Sequence, residues 1–381
     1  MIYFNNTATS YPKPKEVNDA VIEYLNHPPV HSSRTGLERS EEDVDYACRA
    51  NLARLFNADE PFNFVFASGS TEALNLVIKG LDLKGGHVVS TAIEHNSVIR
   101  PLKTLERDGV ITVDFVKCDA YAYVKPEWID AAFKPNTKAV IVNHCSNVTG
   151  TILDLKAISD VAHSHNAVLV VDASQSAGMI PIDIKNWNID YLAFTGHKSL
   201  FGMPGTGGLY MQRPFALEPL KTGGTGVKSE VLLQPKEMTM YYEAGTPNTL
   251  GIVSLNAGVK FVLKEGIEKI LRHKRALIDH LLAALQPLPE ITTYCHPEHS
   301  SHSNFCFNIH GMTPEEVNYA LESMFDIHVR SGLHCAPLLL ENIGVHPWGT
   351  VRASPSYFST LEDADQFVAA VKEIIRTFVR R

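Results

Sequence analysis

The sequence predicts an α/β fold, a mostly parallel sheet flanked by helices, with a smaller α+β domain after it. Between residues 63 and 195 short apolar segments alternate with helical ones, which is the pattern of a parallel α/β sheet. Two of these segments, Ala139-Val140-Ile141-Val142 and Val168-Leu169-Val170-Val171, are apolar at every position. A strand wet on one face alternates, so continuous runs mark strands buried on both faces. Beyond residue 251 long helices and isolated short strands take over. The expected division is an arm over residues 1–13, a large α/β domain over 14–250 and a small domain over 251–381. The helix at 14–26 is free to pack with the small domain.

In order along the chain, residues 14–26 read as a helix. Pro14 stands near its start, and Val17, Val21, Ile22 and Leu25 fall on one face. Residues 27–39 are rich in proline, serine and glycine and read as a loop. Residues 38–56 read as an amphipathic helix. Val44, Cys48, Leu52, Leu55 and Phe56 recur at helical spacing, and Glu41, Glu42 and Asp43 suit the early turns. Strands follow at 63–67, 87–91, 110–116, 139–143, 168–172 and 191–195. Helices are expected at 73–81, after a turn within 94–106, and at 127–133 and 154–166. In the small domain helices are expected at 252–263, 266–285, 314–325 and 361–379, with strands at 304–309 and 328–331.

Composition narrows the class. Of the 381 residues 45% are hydrophobic and 20% charged, an ordinary globular balance with ample core. The net charge of -8 and the lack of a long basic run argue against nucleic acid or an anionic membrane as partner. The first residues lack a secretory signal, and no run approaches the length of a membrane span. The six cysteines are scattered and form no Cys-x-x-Cys pair, so neither a disulfide framework nor a zinc site is expected, and a reducing cytoplasm is the expected location.

The chemistry-bearing residues fall at the carboxyl ends of the expected strands, where an open α/β sheet binds its ligand. Lys198 follows the apolar strand 191–195 and precedes Gly202, Gly205, Gly207 and Gly208, so the backbone there bends tightly or approaches something closely. A lysine in such a place is either a solvated loop residue or an amine that bonds a carbonyl cofactor. Ser70 and Thr71 stand between a strand and a helix start, as a helix cap or as an anion cradle. Asp172 ends a strand, where it is a cap, a structural ion-pair partner, or the acid that keeps a pyridine nitrogen protonated. Lys198 and Asp172 together point to pyridoxal phosphate, which needs both groups. His95 is then either structural or stacked on the cofactor ring, and Gln175, three residues after Asp172, is within reach of its phenolic oxygen.

Along the chain stand Phe4-Asn5-Asn6-Thr7-Ala8-Thr9, Ser68-Gly69-Ser70-Thr71-Glu72, Glu94-His95-Asn96, Ser146-Asn147-Val148-Thr149-Gly150 and Val171-Asp172-Ala173-Ser174-Gln175. Thr195-Gly196-His197-Lys198, Gly245-Thr246-Pro247, the run from Arg330 to Pro337 and Val351-Arg352-Ala353-Ser354 complete the series. In these motifs and their order the chain resembles the class V (fold-type I) pyridoxal-phosphate aminotransferase superfamily, and specifically its cysteine desulfurase branch, over nearly its whole length.

That resemblance implies a seven-stranded fold-type I sheet and a residue-by-residue site. Lys198 would bond the cofactor and shuttle protons. Asp172 would pair with the pyridine nitrogen, Gln175 with the ring oxygen, and His95 would stack. Ser70, Thr71, Thr195 and His197 would hold the phosphate, and Thr246 would reach the phosphate of a neighbouring subunit's cofactor, which implies a homodimer. Arg352, assisted by Asn147, would clamp the carboxylate of L-cysteine, and Cys335 would take its sulfur. The short segment around Cys335 implies a dedicated sulfur-acceptor protein. L-selenocysteine is the alternative substrate, and a C–S lyase, an aminotransferase or a non-catalytic cofactor-binding module are the alternative readings. Two positions depart from the branch: Asn5 stands where it usually has Asp, and Ser359 where it often has Asn. Both are expected to lie outside the chemical core.

Overall fold

In the computed structural model residues 1–27, 43–226, 228–301 and 303–379 are described. Most of the loop expected at 27–39, and the start of the helix expected at 38–56, lie outside them.

A two-residue strand, β1 (Ile2–Tyr3), opens the chain. The helices α1 (Lys15–Leu25) and α2 (Val44–Phe56) follow. The large sheet then takes β2 (Phe64–Ala67), β3 (Gly86–Thr91), β4 (Ile111–Val116), β5 (Thr137–Asn143), β6 (Val168–Asp172), β7 (Tyr191–Thr195) and β8 (Gly207–Met211). They lie in the order β2-β8-β7-β6-β5-β3-β4, and β8 alone runs against the rest. Alternate residues of each central strand enter different cores. Val140, Val142, Leu169, Val171, Leu192 and Phe194 face one; Ala139, Ile141, Val170, Tyr191 and Ala193 face the other. Each large apolar side chain so buried contributes about 1.5–3 kcal/mol, and this is why the runs show no alternation.

The sequence pattern missed β8, because Gly207-Gly208 reads as a loop. Close approach, not a bend, explains both glycines. A Cβ on Gly207 would stand 2.5 Å from the carbonyl of Phe194 and 2.6 Å from Gly69 Cα, and one on Gly208 would stand 2.5 Å from the carbonyl of Val65. Only glycine lets this strand pass between β2 and β7, beneath the turn that leads into the next helix.

The second half holds its own sheet, β9 (Ile291–Thr293), β10 (Phe305–Ile309), β12 (Arg330–Gly332) and β13 (Thr350–Ala353), antiparallel in the order β12-β13-β10-β9. A separate core forms here from Leu277, Leu281, Phe305, Phe307, Phe367 and their neighbours. Strand β11 (Ile327–His328) pairs in parallel with β1, and Ile2 and Phe4 join this core, so the arm is sewn into the second half. Helix α1 packs against the helix Thr249–Glu265, whose Ile252, Leu255, Val259 and Val262 belong to the core of the large sheet along with Val17. The single strand expected at 328–331 is two, β11 and β12. Strands β9 and β13 were not expected; they are short, and each is held by pairing with strands outside its own local segment. Among the described residues no helix is long and apolar enough to cross a membrane.

Candidate active site

The turns after β2, β3, β5, β6 and β7 converge on a cavity of about 340 Å³. Every residue given a catalytic or binding role from the sequence borders it except Thr246 and Cys335.

One end suits an anion. The helix α3 (Ser70–Gly80) begins three residues earlier than the expected 73–81, with Gly69 as its cap and no side-chain capping bond. Ser70 and Thr71 are therefore first-turn residues, whose N–H groups have no intrahelical acceptor and carry the positive end of the helix dipole. Thr71 Oγ1 lies 2.8 Å from Ser97 Oγ. Thr195 closes the wall, its Oγ1 donating to the carbonyl of Thr206 at 3.4 Å. His197 Nδ1 is buried without a partner among the described residues. Desolvation first, then Lys198 and Lys13, hold the His197 imidazole down to about 4, so it is neutral at pH 7.

The middle is occupied by Lys198 and Asp172. Asp172 is buried, and its Oδ1 accepts from the backbone N–H and the hydroxyl of Ser174, which locks the carboxylate and leaves Oδ2 without a hydrogen bond among the described residues. The enclosed amine of Lys198 is held down to about 8 by desolvation; Asp172 opposes that shift, and Arg352 and Arg330 reinforce it. An amine so placed loses its proton far more readily near neutral pH than a solvated lysine does. His95 has a structural role as well as a place on the wall. It caps α4 (Asn96–Arg107) by accepting the N–H of Ser97 on Nδ1 at 3.1 Å. Desolvation holds it down to about 4 against the pull of Asp172, so it too is neutral. Gln175 donates to the carbonyl of Thr7 at 3.2 Å and so reaches the arm.

The other end holds Arg352, 1% exposed. Its Nη1 donates to the carbonyl of Asn147 at 2.6 Å and its Nη2 to Asn5 Oδ1 at 3.3 Å, while Nε has no partner among the described residues. Burial, and then Arg330, push this guanidinium down to about 9. Asn5 was expected outside the chemical core; the fold brings it to Arg352. A neutral amide there leaves the cation without an internal carboxylate.

Cys335 stands just beyond this end. The other five cysteines are buried, and burial raises the thiols of Cys48, Cys118, Cys145, Cys295 and Cys306 to about 11 or above. Cys335 alone is partly exposed. Its loop is pinned on several sides. Its carbonyl accepts the N–H of Asn96 at 2.8 Å, and Asn147 Nδ2 donates to the carbonyl of His334 at 2.8 Å. The His334 ring turns away to the carbonyl of Thr350, 3.0 Å from Nε2. His334 and Cys335 both hold positive φ, 49° and 59°. Gly349 supports the loop from beneath: its φ is +81°, and a Cβ there would stand 2.1 Å from the carbonyl of Gly332. Gly349→Ala is expected to cost about 1–3 kcal/mol through strain and overpacking. Urea unfolding measures this, and an unchanged midpoint would show that the loop yields freely.

Thr246 lies elsewhere. It is exposed on the rim of a neighbouring cavity of about 810 Å³, which shares Ser68, Glu72 and Gly205 with the first. Sequence reasoning assigned no role to Arg330, Ser174 or Asn5. Each was inside a quoted motif, so the signal available was adjacency to a named residue.

The chain matches the class V aminotransferase family over residues 2–367. A protein of Methanothermobacter thermautotrophicus named probable cysteine desulfurase is 34% identical over 378 residues, covering 97% of this chain and 94% of its own. Another of that name, from Pyrococcus abyssi, is 33% identical and covers 99% and 95%. Among solved structures, the apo cysteine desulfurase of Thermococcus onnurineus superposes with a TM-score of 0.88 at 31% identity, covering 98% of this chain and 94% of that one. The cysteine desulfurase CsdA of Escherichia coli gives 0.89 at 27%, covering 99% and 95%. With the same fold, and with one family spanning both its halves, this chain belongs to the class V aminotransferases.

Proposed function

We propose that this protein is a pyridoxal-phosphate-dependent cysteine desulfurase, which turns L-cysteine into L-alanine and carries the sulfur away on Cys335. The observation that carries this reading is the pairing of β12 with β13, which sets Arg330 opposite Arg352, with Cys335 Sγ 3.3 Å from Arg330 Nη2. Strand β13, which carries Arg352, and the loop after β12, which carries Cys335, thus lie side by side, an arrangement that suits a carboxylate clamp beside a nucleophilic thiol.

The residues present fit the cofactor: an anion cradle at α3, an unpartnered carboxylate oxygen on Asp172 and a lysine amine kept from full protonation. Ser70, Thr71, Thr195 and His197 would hold the phosphate, Asp172 the ring nitrogen, Gln175 the ring oxygen and His95 the ring face. When bound, the cofactor withdraws electrons from Cα of the amino acid. Lys198 would anchor it and, once displaced by substrate, move the Cα proton. Arg352 would hold the substrate carboxylate through the Nε that nothing else uses, with Asn147 beside it. The Cys335 thiolate would then attack the substrate sulfur. The Cβ–S bond breaks, its electron pair stays on carbon, and protons return to give alanine. Thiol plus cysteine becomes persulfide plus alanine, so no external oxidant or reductant is needed. The pinned loop gives Cys335 little reach, so a sulfur-acceptor protein would come to it.

The test is to incubate the purified protein with L-cysteine and a reducing thiol and to assay alanine and sulfide. Equal release of both is expected; no alanine would overturn the assignment, and turnover of selenocysteine alone would move it to selenium. Asp172→Ala should lower turnover about tenfold to hundredfold, since a hydrogen bond to a charged group is worth about 1.5–3 kcal/mol. Unchanged turnover would mean that the ring nitrogen lies elsewhere.

The same reading makes the protein a homodimer, with Thr246 serving the partner's site. The open second cavity supports this, as do Leu232 and Leu233, 98% and 83% exposed in the chain alone. Sedimentation is expected at twice the 42.1 kDa chain mass; an active monomer would contradict it.

A further inference from the structure

Arg330 and Arg352 are directly opposite each other on adjacent antiparallel strands, so their side chains leave the same face of the sheet. Both border the Lys198 cavity. Like charges in this relation repel, and neither forms an ion pair among the described residues. The guanidiniums have different contacts. Arg352 bonds to Asn147 and Asn5, deep in the wall. Arg330, only partly buried, directs Nη2 at Cys335 Sγ from 3.3 Å. His334 is turned away and bonded to Thr350, so it is not placed to act on the thiol. Among the described residues the charged groups that interact with Cys335 are Arg330, Arg352 and Lys198, and Asp172 acts on Lys198.

We infer that Arg330 is a catalytic residue whose guanidinium holds an anionic sulfur at this position, first the attacking thiolate of Cys335 and then the terminal sulfur of the persulfide, which comes from the substrate. Two arginines side by side then divide two anions between them: Arg352 takes the substrate carboxylate and Arg330 the nucleophile. The division brings the thiolate and the substrate sulfur to neighbouring positions and relieves the cross-strand repulsion once both are in place. An anionic sulfur is stabilised by a charged donor with several N–H groups, and a guanidinium is such a group.

This rests on Cys335 being the nucleophile, but it is tested without turnover, so its failure leaves alanine production as a separate question. The holoenzyme is treated with iodoacetamide at pH 7, and modification of the Cys335 peptide is followed by mass spectrometry. Alkylation follows the thiolate, so Arg330→Gln should slow it about tenfold, while Arg330→Lys, which keeps a cation there, should stay within about threefold of wild type. Wild-type speed in Arg330→Gln overturns the proposal. Equal slowing in both variants overturns it as well, because it would mean that the arginine shapes the loop rather than stabilising charge. A second measurement needs no variant. Anionic iodoacetate should modify wild-type Cys335 at least about tenfold faster, relative to iodoacetamide, than it modifies glutathione, because a cationic site gathers an anionic reagent. No such preference overturns the proposal even if Arg330→Gln does not fold.

Discussion

Lys198→Ala is expected to stop alanine formation almost completely, by roughly 10³-fold within the 10²–10⁴-fold range of a positioned acid–base group, and to lose the covalently held cofactor. The argument starts from cost. An amine that follows the fully buried strand β7 and is held down to about 8 gives up hydration, a cost that a bond to a cofactor would offset. Asp172 pulls that amine back toward its charged form, while Arg352 and Arg330 push the other way, so the balance leaves Lys198 able both to bond a carbonyl and to carry a proton. Arginine at 198 would remain charged and do neither, so Lys198→Arg should fail as severely as alanine. Borohydride reduction of the wild type should leave the cofactor on the peptide that contains Lys198. Labelling of any other lysine, or a Lys198→Ala enzyme with near-normal turnover, would place the chemistry elsewhere.

The parallel core of the fold was legible because two-sided burial writes itself into sequence as unbroken apolar runs. β5, β6 and β7 stand within two residues of where those runs put them. β8 and β13 were not legible. The first is disguised by glycines whose reason is a neighbour's backbone. The second is four residues long and is stabilised by pairing with strands at 305–309 and 330–332. Local pattern carries no record of such contacts. The start of α3 was misjudged for a related reason: serine and threonine favour caps, but here Gly69 takes that position and both hydroxyl residues move into the first turn.

The site follows the same division. Lys198, Asp172 and their neighbours were visible because strand ends in an α/β sheet converge, so residues far apart in sequence share one cavity. Asn5 was not visible. Its contact with Arg352 spans 347 positions and depends on β1 pairing with β11 to bring the arm across. Arg330 is near Cys335 in sequence, yet nothing in that spacing says that its side chain folds back on the sulfur. The turn that does this uses positive φ at two consecutive non-glycine residues, which residue preference argues against.

Cys335→Ala is expected to bind the cofactor, to change its absorbance with L-cysteine as the wild type does, and to make almost no alanine or persulfide, a loss of roughly 10³-fold or more in turnover. The five other thiols do not substitute for it: Cys145 borders the Lys198 cavity, but burial raises its thiol to about 11, and Cys48, Cys118, Cys295 and Cys306 are buried outside that cavity's lining. The loop does not bring a replacement either, since the bonds from Asn96, Asn147 and His334 fix its path. Substrate binding should survive, because Arg352, Asn147 and Lys198 are untouched by the change. This makes the variant a test of one step: KM for the absorbance change stays near wild type while turnover collapses. Mass spectrometry of the wild type after brief exposure to L-cysteine should find one additional sulfur on the Cys335 peptide and none on the others. Selenocysteine offers an internal contrast, because the weaker carbon–selenium bond needs less help from a nucleophile, so the variant should keep far more activity on it than on cysteine. If Cys335→Ala turns over cysteine at the wild-type rate, sulfur leaves by elimination rather than by transfer, and the protein is a lyase on the same fold.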